Sequence, residues 1–422
     1  MKIKNKYITV FIYTLSTLVF FLPQLSTFYY VVFLDAFNLT NAQAGTLLSV
    51  YGMTSLPAYL FGGLLADKFK AKNLIIISCF ATGTLGIIMT FVSSYYILLG
   101  IYVVLGLTTT FLQWSALCKI VRSLGTEQEQ GKLYGTMEMS NSIIGAVCLY
   151  GILAALGLIL EAVGFKVVTS IFGVLLIISG ILIMTLCNDP SAGIRDEDND
   201  FNFKSVVSAL KHPVVWINGF IVMGIYVMNT ASTYLSPYMS EVIGVPMTVA
   251  VGIQITATYI LSVVLTPVGG AIIDKSGKTP PLLIVTCAGV IACMVSVIFA
   301  GTSAAIGLII AILIAFYVVL NLQRTCMYTP IPEGGVPLAI TGTATGIVST
   351  IGYSSDIWLY TLCGSWLDEY GESGYSRIWG LMMVGMLVSA VFGLLFARYK
   401  KKNKEKIEAV YRENEMLGTQ EA

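Results

Sequence analysis

Long apolar runs separated by short polar breaks dictate most of what this chain can become. Of its 422 residues, 56% are hydrophobic and only 11% are charged, whereas a soluble globular domain carries about 25% charged residues. Polar groups are too few to cover a soluble surface, so lipid must be the solvent over most of its area. At about 20 residues per span plus connections, the length accommodates roughly 12 helices. The net charge of +1 gives no sign of a nucleic-acid partner, and no long basic tract precedes the tail. Eight cysteines, mostly inside apolar runs, and a lone histidine, His212, make no metal-type pattern. The cysteines read as small packing groups, and no cofactor is expected. The basic start Met1–Lys6 and the apolar run behind it resemble a signal peptide. No convincing small-residue cleavage site follows, so the run is read as the first span.

The apolar runs predict spans over residues 8–34, 43–66, 73–92, 95–120, 132–158 and 165–187, then 213–238, 248–273, 280–299, 303–328, 338–366 and 377–397. An even number of spans puts both termini on one side. Of the 24 basic residues, only Lys166 and Arg377 fall in segments facing the other side. Positive charge stays cytoplasmic, so both ends are expected inside, in a bacterial plasma (inner) membrane. The longest inner connection, 188–212, carries the run Arg195–Asp200 and reads as a solvated linker between an N-terminal bundle (1–187) and a C-terminal bundle (213–398). In the cytoplasmic tail (399–422) and just before it, the basic residues from Arg398 to Lys406 sit where anionic headgroups attract them.

The two halves carry the same marks. Gly62-Gly63-Leu64-Leu65-Ala66-Asp67-Lys68 returns, offset by 207 residues, as Gly269-Gly270-Ala271-Ile272-Ile273-Asp274-Lys275. Gly135 and Gly145 return at the same offset as Gly342 and Gly352. Parallel repeats of this kind build pseudo-twofold membrane proteins with a pathway between the halves. The repeated segment resembles the Gly-x-x-x-Asp-Arg/Lys mark that the major facilitator superfamily carries in the inner loop after its second span, and the resemblance extends over the whole chain. It implies an all-α integral membrane protein, with 12 transmembrane helices as two pseudo-twofold-related six-helix bundles. It also implies a gating role for Gly63, Asp67, Lys68, Gly270, Asp274 and Lys275. The glycines let helices approach closely, and each aspartate sits where a helix ends and can accept from a neighbouring helix N-terminus. The plain alternative is that Asp67 and Asp274 only terminate their spans.

Charges inside spans usually face protein or water. Arg324 lies one or two turns from the inner end of span 10, and Lys119 near the inner end of span 4, its repeat mate. Those spans line the cavity in the resembled fold, so Arg324, its neighbour Gln323 and Lys119 are candidate substrate contacts. An arginine fork suits carboxylate, phosphate or sulfonate. Against this stand snorkelling for Lys119 and Arg122, and an internal ion pair of Arg324 with Glu138 or Asp356. Asp356, deep in span 11, and Glu138, early in span 5, can take and release a proton, bind a cation or form a buried pair. Tyr29, Tyr30, Tyr226 and Asn229 lie mid-span or near it and suit the carbon skeleton and hydroxyls of a medium-sized polar solute. Lipid-facing or interfacial rings are the alternative.

A narrower likeness joins Ile120-Val121-Arg122, Gln130-Gly131-Lys132 and Pro337–Asp356 to poorly characterised bacterial members related to sugar and organic-anion carriers. The resemblance implies a secondary active transporter of a small organic anion. It would work by alternating access, coupled to protons or a counter-substrate, as a monomer among membrane lipids. No glycine-rich phosphate loop with its lysine is present, so ATP is not expected to drive it, and no enzyme constellation stands out. Rival readings are a proton-coupled drug or cation exporter recognising its cargo through Asp356, and a solute sensor that moves nothing.

Overall fold

A computed structural model describes residues 5–125, 129–156, 161–190, 203–276, 278–301, 305–337, 340–410 and 412. Among them the chain is helical from end to end. The helices are α1 (Lys6–Phe28), α2 (Tyr30–Phe37), α3 (Asn41–Lys68), α4 (Ala71–Met89) and α5 (Tyr95–Arg122). Then come α6 (Gln130–Leu156), α7 (Glu161–Leu186), α8 (Phe203–Lys211), α9 (Pro213–Val242) and α10 (Met247–Ser276). The last six are α11 (Thr279–Ala300), α12 (Ile306–Arg324), α13 (Pro330–Glu333), α14 (Thr341–Tyr353), α15 (Leu359–Tyr370) and α16 (Ser373–Lys402).

Among the described residues, ten helices are long and apolar enough to cross a membrane. The second expected span is the 28-residue α3, with side chains at 59–67 outside the described residues. The eleventh is not one helix. A 3-10 turn at Ser354–Ile357 divides it into α14, of 13 residues, and α15, of 12. Within the segment read as a linker, 203–211 forms α8, and Pro213 opens α9. Proline is suited to that first turn because its missing N–H has no helical partner to lose. The acidic run 195–200 lies outside the described residues.

Packing divides the chain into two units: 1–200 with 236–260 and 356–371, and 201–235 with 261–355 and 372–422. The divisions at 235, 260 and 355 fall where helices leave α geometry. A 3-10 turn covers Ser232–Tyr234, π turns cover Tyr238–Val242 and Thr256–Leu261, and the break at Ser354–Ile357 follows. In the first unit α4 packs on α7, and α3 on α15. Gly45 and Gly364 make the second contact possible: a Cβ on Gly45 would meet the Tyr360 backbone, and one on Gly364 the Asn41 backbone. Lys72 Nζ donates to the carbonyls of Met184 (2.9 Å) and Cys187 (2.7 Å). It thereby satisfies acceptors that the end of α7 leaves open.

In the second unit α9 packs on α14 and α16, and α11 on α12 and α16. The long α16 shows why such a helix belongs in lipid. Ile378, Met382, Met386 and Ser389 are buried, while Val384, Leu387, Val391 and Leu394 are exposed at helical spacing. Both faces are apolar, so one meets protein and the other needs hydrocarbon.

Candidate functional site

Three helices of the second unit bring polar groups together inside apolar surroundings. Arg324 closes α12, and its Nη2 donates to Asn229 Oδ1 on α9 at 2.6 Å. One turn earlier on α9, Tyr226 lies against Tyr353 of α14, with ring centroids 4.3 Å apart. The Tyr353 hydroxyl meets that of Tyr328 at 2.7 Å, and the Tyr328 hydroxyl meets Ser349 Oγ at 2.9 Å. Arg324, Asn229, Tyr226, Tyr328 and Tyr353 are all half-buried. Tyr317, one helical face back on α12, feels the Arg324 charge. Its hydroxyl is buried with no hydrogen-bond partner among the described residues.

This arrangement has definite chemical abilities. A guanidinium stays cationic under all biological conditions and offers five donors in a plane. A neutral amide from α9 accepts from it, and one turn earlier on that helix Tyr226 and its partner Tyr353 give an apolar face with polar edges. Planar oxyanions attached to a carbon skeleton match that combination.

Tyr226, Asn229 and Arg324 are thus brought together as a set. Gln323 is not part of it: wholly buried, it donates from Nε2 to Cys287 Sγ (3.2 Å) and Met386 Sδ (3.3 Å). Tyr328, Ser349 and Tyr353 join the cluster although the sequence reading did not choose them. Their available signal was the i, i+4 spacing of Ser349 and Tyr353, which places both on one face of α14.

The first unit holds the other candidates. Tyr29 is 1% and Tyr30 2% exposed. The Tyr29 hydroxyl donates to the Leu149 carbonyl at 2.5 Å, and that of Tyr30 to Asn41 Oδ1 at 3.1 Å. Both rings fill core, and both hydroxyls bond to protein. Lys119 is half-buried near the end of α5, and Glu138 is exposed on α6 with Cys118 within electrostatic range. Asp356 sits in the 3-10 break against Gly52 of α3, beside Tyr51, whose hydroxyl meets Thr109 Oγ1 at 3.1 Å. Gln113, in a π turn at Leu107–Trp114, donates to Ser16 Oγ at 2.9 Å.

Of the expected gating residues, Gly63 and Asp67 fall in the part of α3 whose side chains lie outside the described residues. Lys68, Asp274 and Lys275 are exposed, and Gly270 has open space where a Cβ would stand. At the other end of α3 a different aspartate is engaged. Asp368 Oδ1 accepts from Asn41 N and Nδ2, both at 2.9 Å, and Oδ2 accepts from Ala42 N at 2.7 Å. Burial by itself would push this carboxyl up, but the bonds from Ala42, Asn41 and Thr40 outweigh it and hold the group below its ordinary range.

Known proteins resemble this chain along nearly its whole length. Inner membrane protein YihN of Escherichia coli (strain K12) is 28% identical over 401 residues, which cover 92% of this chain and 94% of that protein. Among solved structures, a bacterial homolog of the human lysosomal transporter Spinster aligns with a TM-score of 0.74 at 14% identity, covering 95% of this chain and 99% of that one. A D-xylose-proton symporter aligns with a TM-score of 0.72 at 14% identity, covering 93% and 97%. The family model that describes the Major Facilitator Superfamily matches residues 9–358. Helical spans, a repeated glycine–aspartate–lysine mark and a match over most of the length agree, and the chain belongs to the Major Facilitator Superfamily, whose members are transporters rather than enzymes.

Proposed function

We propose that this protein is a secondary active transporter that moves a small organic anion across a bacterial inner membrane by alternating access. Superfamily membership supports the coarse part of this reading, and the likeness to an inner membrane protein supports the location. The anionic cargo rests on one observation, the Arg324 guanidinium bonded to Asn229, which stands one helical turn from Tyr226 and its ring partner Tyr353. In this reading the anion bonds to Arg324, its carbon skeleton lies on the rings, and Lys119 is a further contact for charge. Asp356 or Glu138 carries a coupling proton. The chain is a monomer of the organic-anion and sugar-carrier type. Its twelve spans form two related six-helix bundles, 1–187 and 213–398, with both termini cytoplasmic.

Purified protein screened by thermal shift against carboxylates, sulfonates, phosphate esters, neutral sugars and organic cations tests the cargo class. Organic anions are expected to stabilise it and to compete for flux in proteoliposomes. Hydrogen bonds to a charged group contribute about 1.5–3 kcal/mol, so Arg324→Gln is expected to weaken anion binding by about tenfold or more. Unchanged anion binding and flux in that variant would sink the assignment. Competition by organic cations alone would transfer recognition to Asp356.

A further inference from the structure

The second unit carries a cleft of about 780 Å³ away from the Arg324 cluster, between the start of α11, the end of α16 and the segment that follows it. Its floor is apolar, made by Pro280, Pro281, Ile284, Ala397 and Ile407, and its rim carries Lys278, Lys400, Lys401 and Lys404. Two carboxylates share the rim, and both have work already. Glu333 accepts from Thr279 N at 3.0 and 3.1 Å and pairs with Lys400; Glu408 faces Lys404 at 3.6 Å. Lys278 and Lys401 are exposed, and among the described residues neither ammonium has a hydrogen bond or an ion pair. Four lysines against two glutamates leave the cleft positively charged.

The position of this charge is fixed by length. With 30 residues, α16 runs about 45 Å at 1.5 Å per residue, well beyond a hydrocarbon core of about 30 Å. Its last turns therefore leave the hydrocarbon and bring Lys400 and Lys401 to the headgroup layer. Ala397 lies one turn beyond Leu394, so the apolar floor continues the lipid-facing stripe of α16. The chain past α16 does not trail away. Ile407 is 6% exposed and packs on Gly335, whose φ of +71° is open to glycine at little cost. That return closes one side of the cleft and gives it walls.

A soluble anion gains nothing from an apolar floor that runs into lipid, and a bare basic tail needs no cleft. An amphiphile with a phosphate head and hydrocarbon tail satisfies both features. We propose that this cleft is a binding site for an anionic phospholipid of the leaflet at which α16 ends. Lys278 and Lys401 hold the phosphate, and an acyl chain lies along Pro281, Ile284 and Ala397.

The test is titration of the purified full-length protein with phosphatidylglycerol and with phosphatidylcholine, read by thermal shift and by native mass spectrometry. Phosphatidylglycerol is expected to bind at least tenfold more tightly. Lys278→Gln with Lys401→Gln should abolish that preference while leaving stability in phosphatidylcholine unchanged. Lys402→Gln with Lys406→Gln, on the same tail but outside the cleft, should retain it. Inorganic phosphate, the chainless probe, should fail to compete at a hundredfold excess. No preference in the unmodified protein overturns the proposal, without recourse to any variant. So does equal loss in the two double variants, which means general attraction of a basic tail, and so does effective competition by phosphate, which means a soluble anion.

Discussion

Arg324 shows how far single residues can be read. A charge within an apolar run announces itself, and so do an amide and a ring three residues apart, such as Asn229 and Tyr226. Tyr328 and Tyr353 gave no such signal, because the chain has 23 tyrosines and only packing selects two of them. The same ambiguity runs the other way for Tyr29 and Tyr30, whose rings fill core and whose hydroxyls bond to protein. Gln323 adjoins Arg324 in sequence, yet the next position on a helix points about 100° away. Asn229 accepts a hydrogen bond from the guanidinium at 2.6 Å. Its replacement by alanine leaves the charge and removes that bond. Asn229→Ala is therefore expected to raise the half-saturating substrate concentration several-fold, with little change in protein stability, as concentration-dependent uptake would reveal. An unchanged half-saturation would remove the amide from the site.

Among elements, α3 with α15 is the contact whose consequences are sharpest. Gly45 and Gly364 let the backbones meet, and Asp368 holds the first amides of α3. A carboxylate at a helix N-terminus also interacts favourably with the helix dipole. Its folded value lies below the ordinary 3.8. A lowered carboxyl stabilises the fold above its unfolded value, and that contribution fades as pH falls through the folded value. Asp368→Asn is thus expected to lower the thermal midpoint at pH 5 to 7, with the difference from the unmodified protein shrinking below pH 3.8. A gap that persists in acid would mean that shape, not charge, holds the contact. None of this was visible beforehand, since pairing of residues 41 and 368 depends on tertiary packing. The division of span 11 was half-visible: Ser354-Ser355-Asp356 stood out as polar, but an apolar run does not reveal that its hydrogen bonding changes partway.

For the whole molecule, sequence carried the larger share. Low charge required lipid, apolar runs marked helices, and two copies of one glycine–aspartate–lysine mark pointed to the superfamily that the match over 9–358 then established. Packing of the units could not be foreseen, because nothing local tells residues 236–260 or 356–371 which neighbours they will gather with. Membrane sidedness is open to direct trial. Lys68 and Lys275 are both exposed, so cysteines placed there should react with an impermeant maleimide in inside-out vesicles and stay protected in intact cells. Reaction of the two from opposite sides would break the repeat-based topology.

The interruption at Ser354–Ile357 has one more consequence. Trp358, which precedes α15, provides no side-chain cap, and in its place Ser49 Oγ on α3 accepts from the Thr361 amide at 3.3 Å. Oil has nothing to offer the other amides of that first turn, deep in the expected span, and protein oxygens or water must serve them instead. The middle of this span should therefore be a hydrated spot in an otherwise dry slab. Deuterium is expected to enter amides at 354–360 well before those at 344–352, as exchange followed by mass spectrometry can measure; equal protection along the segment would mean that the slab is dry throughout.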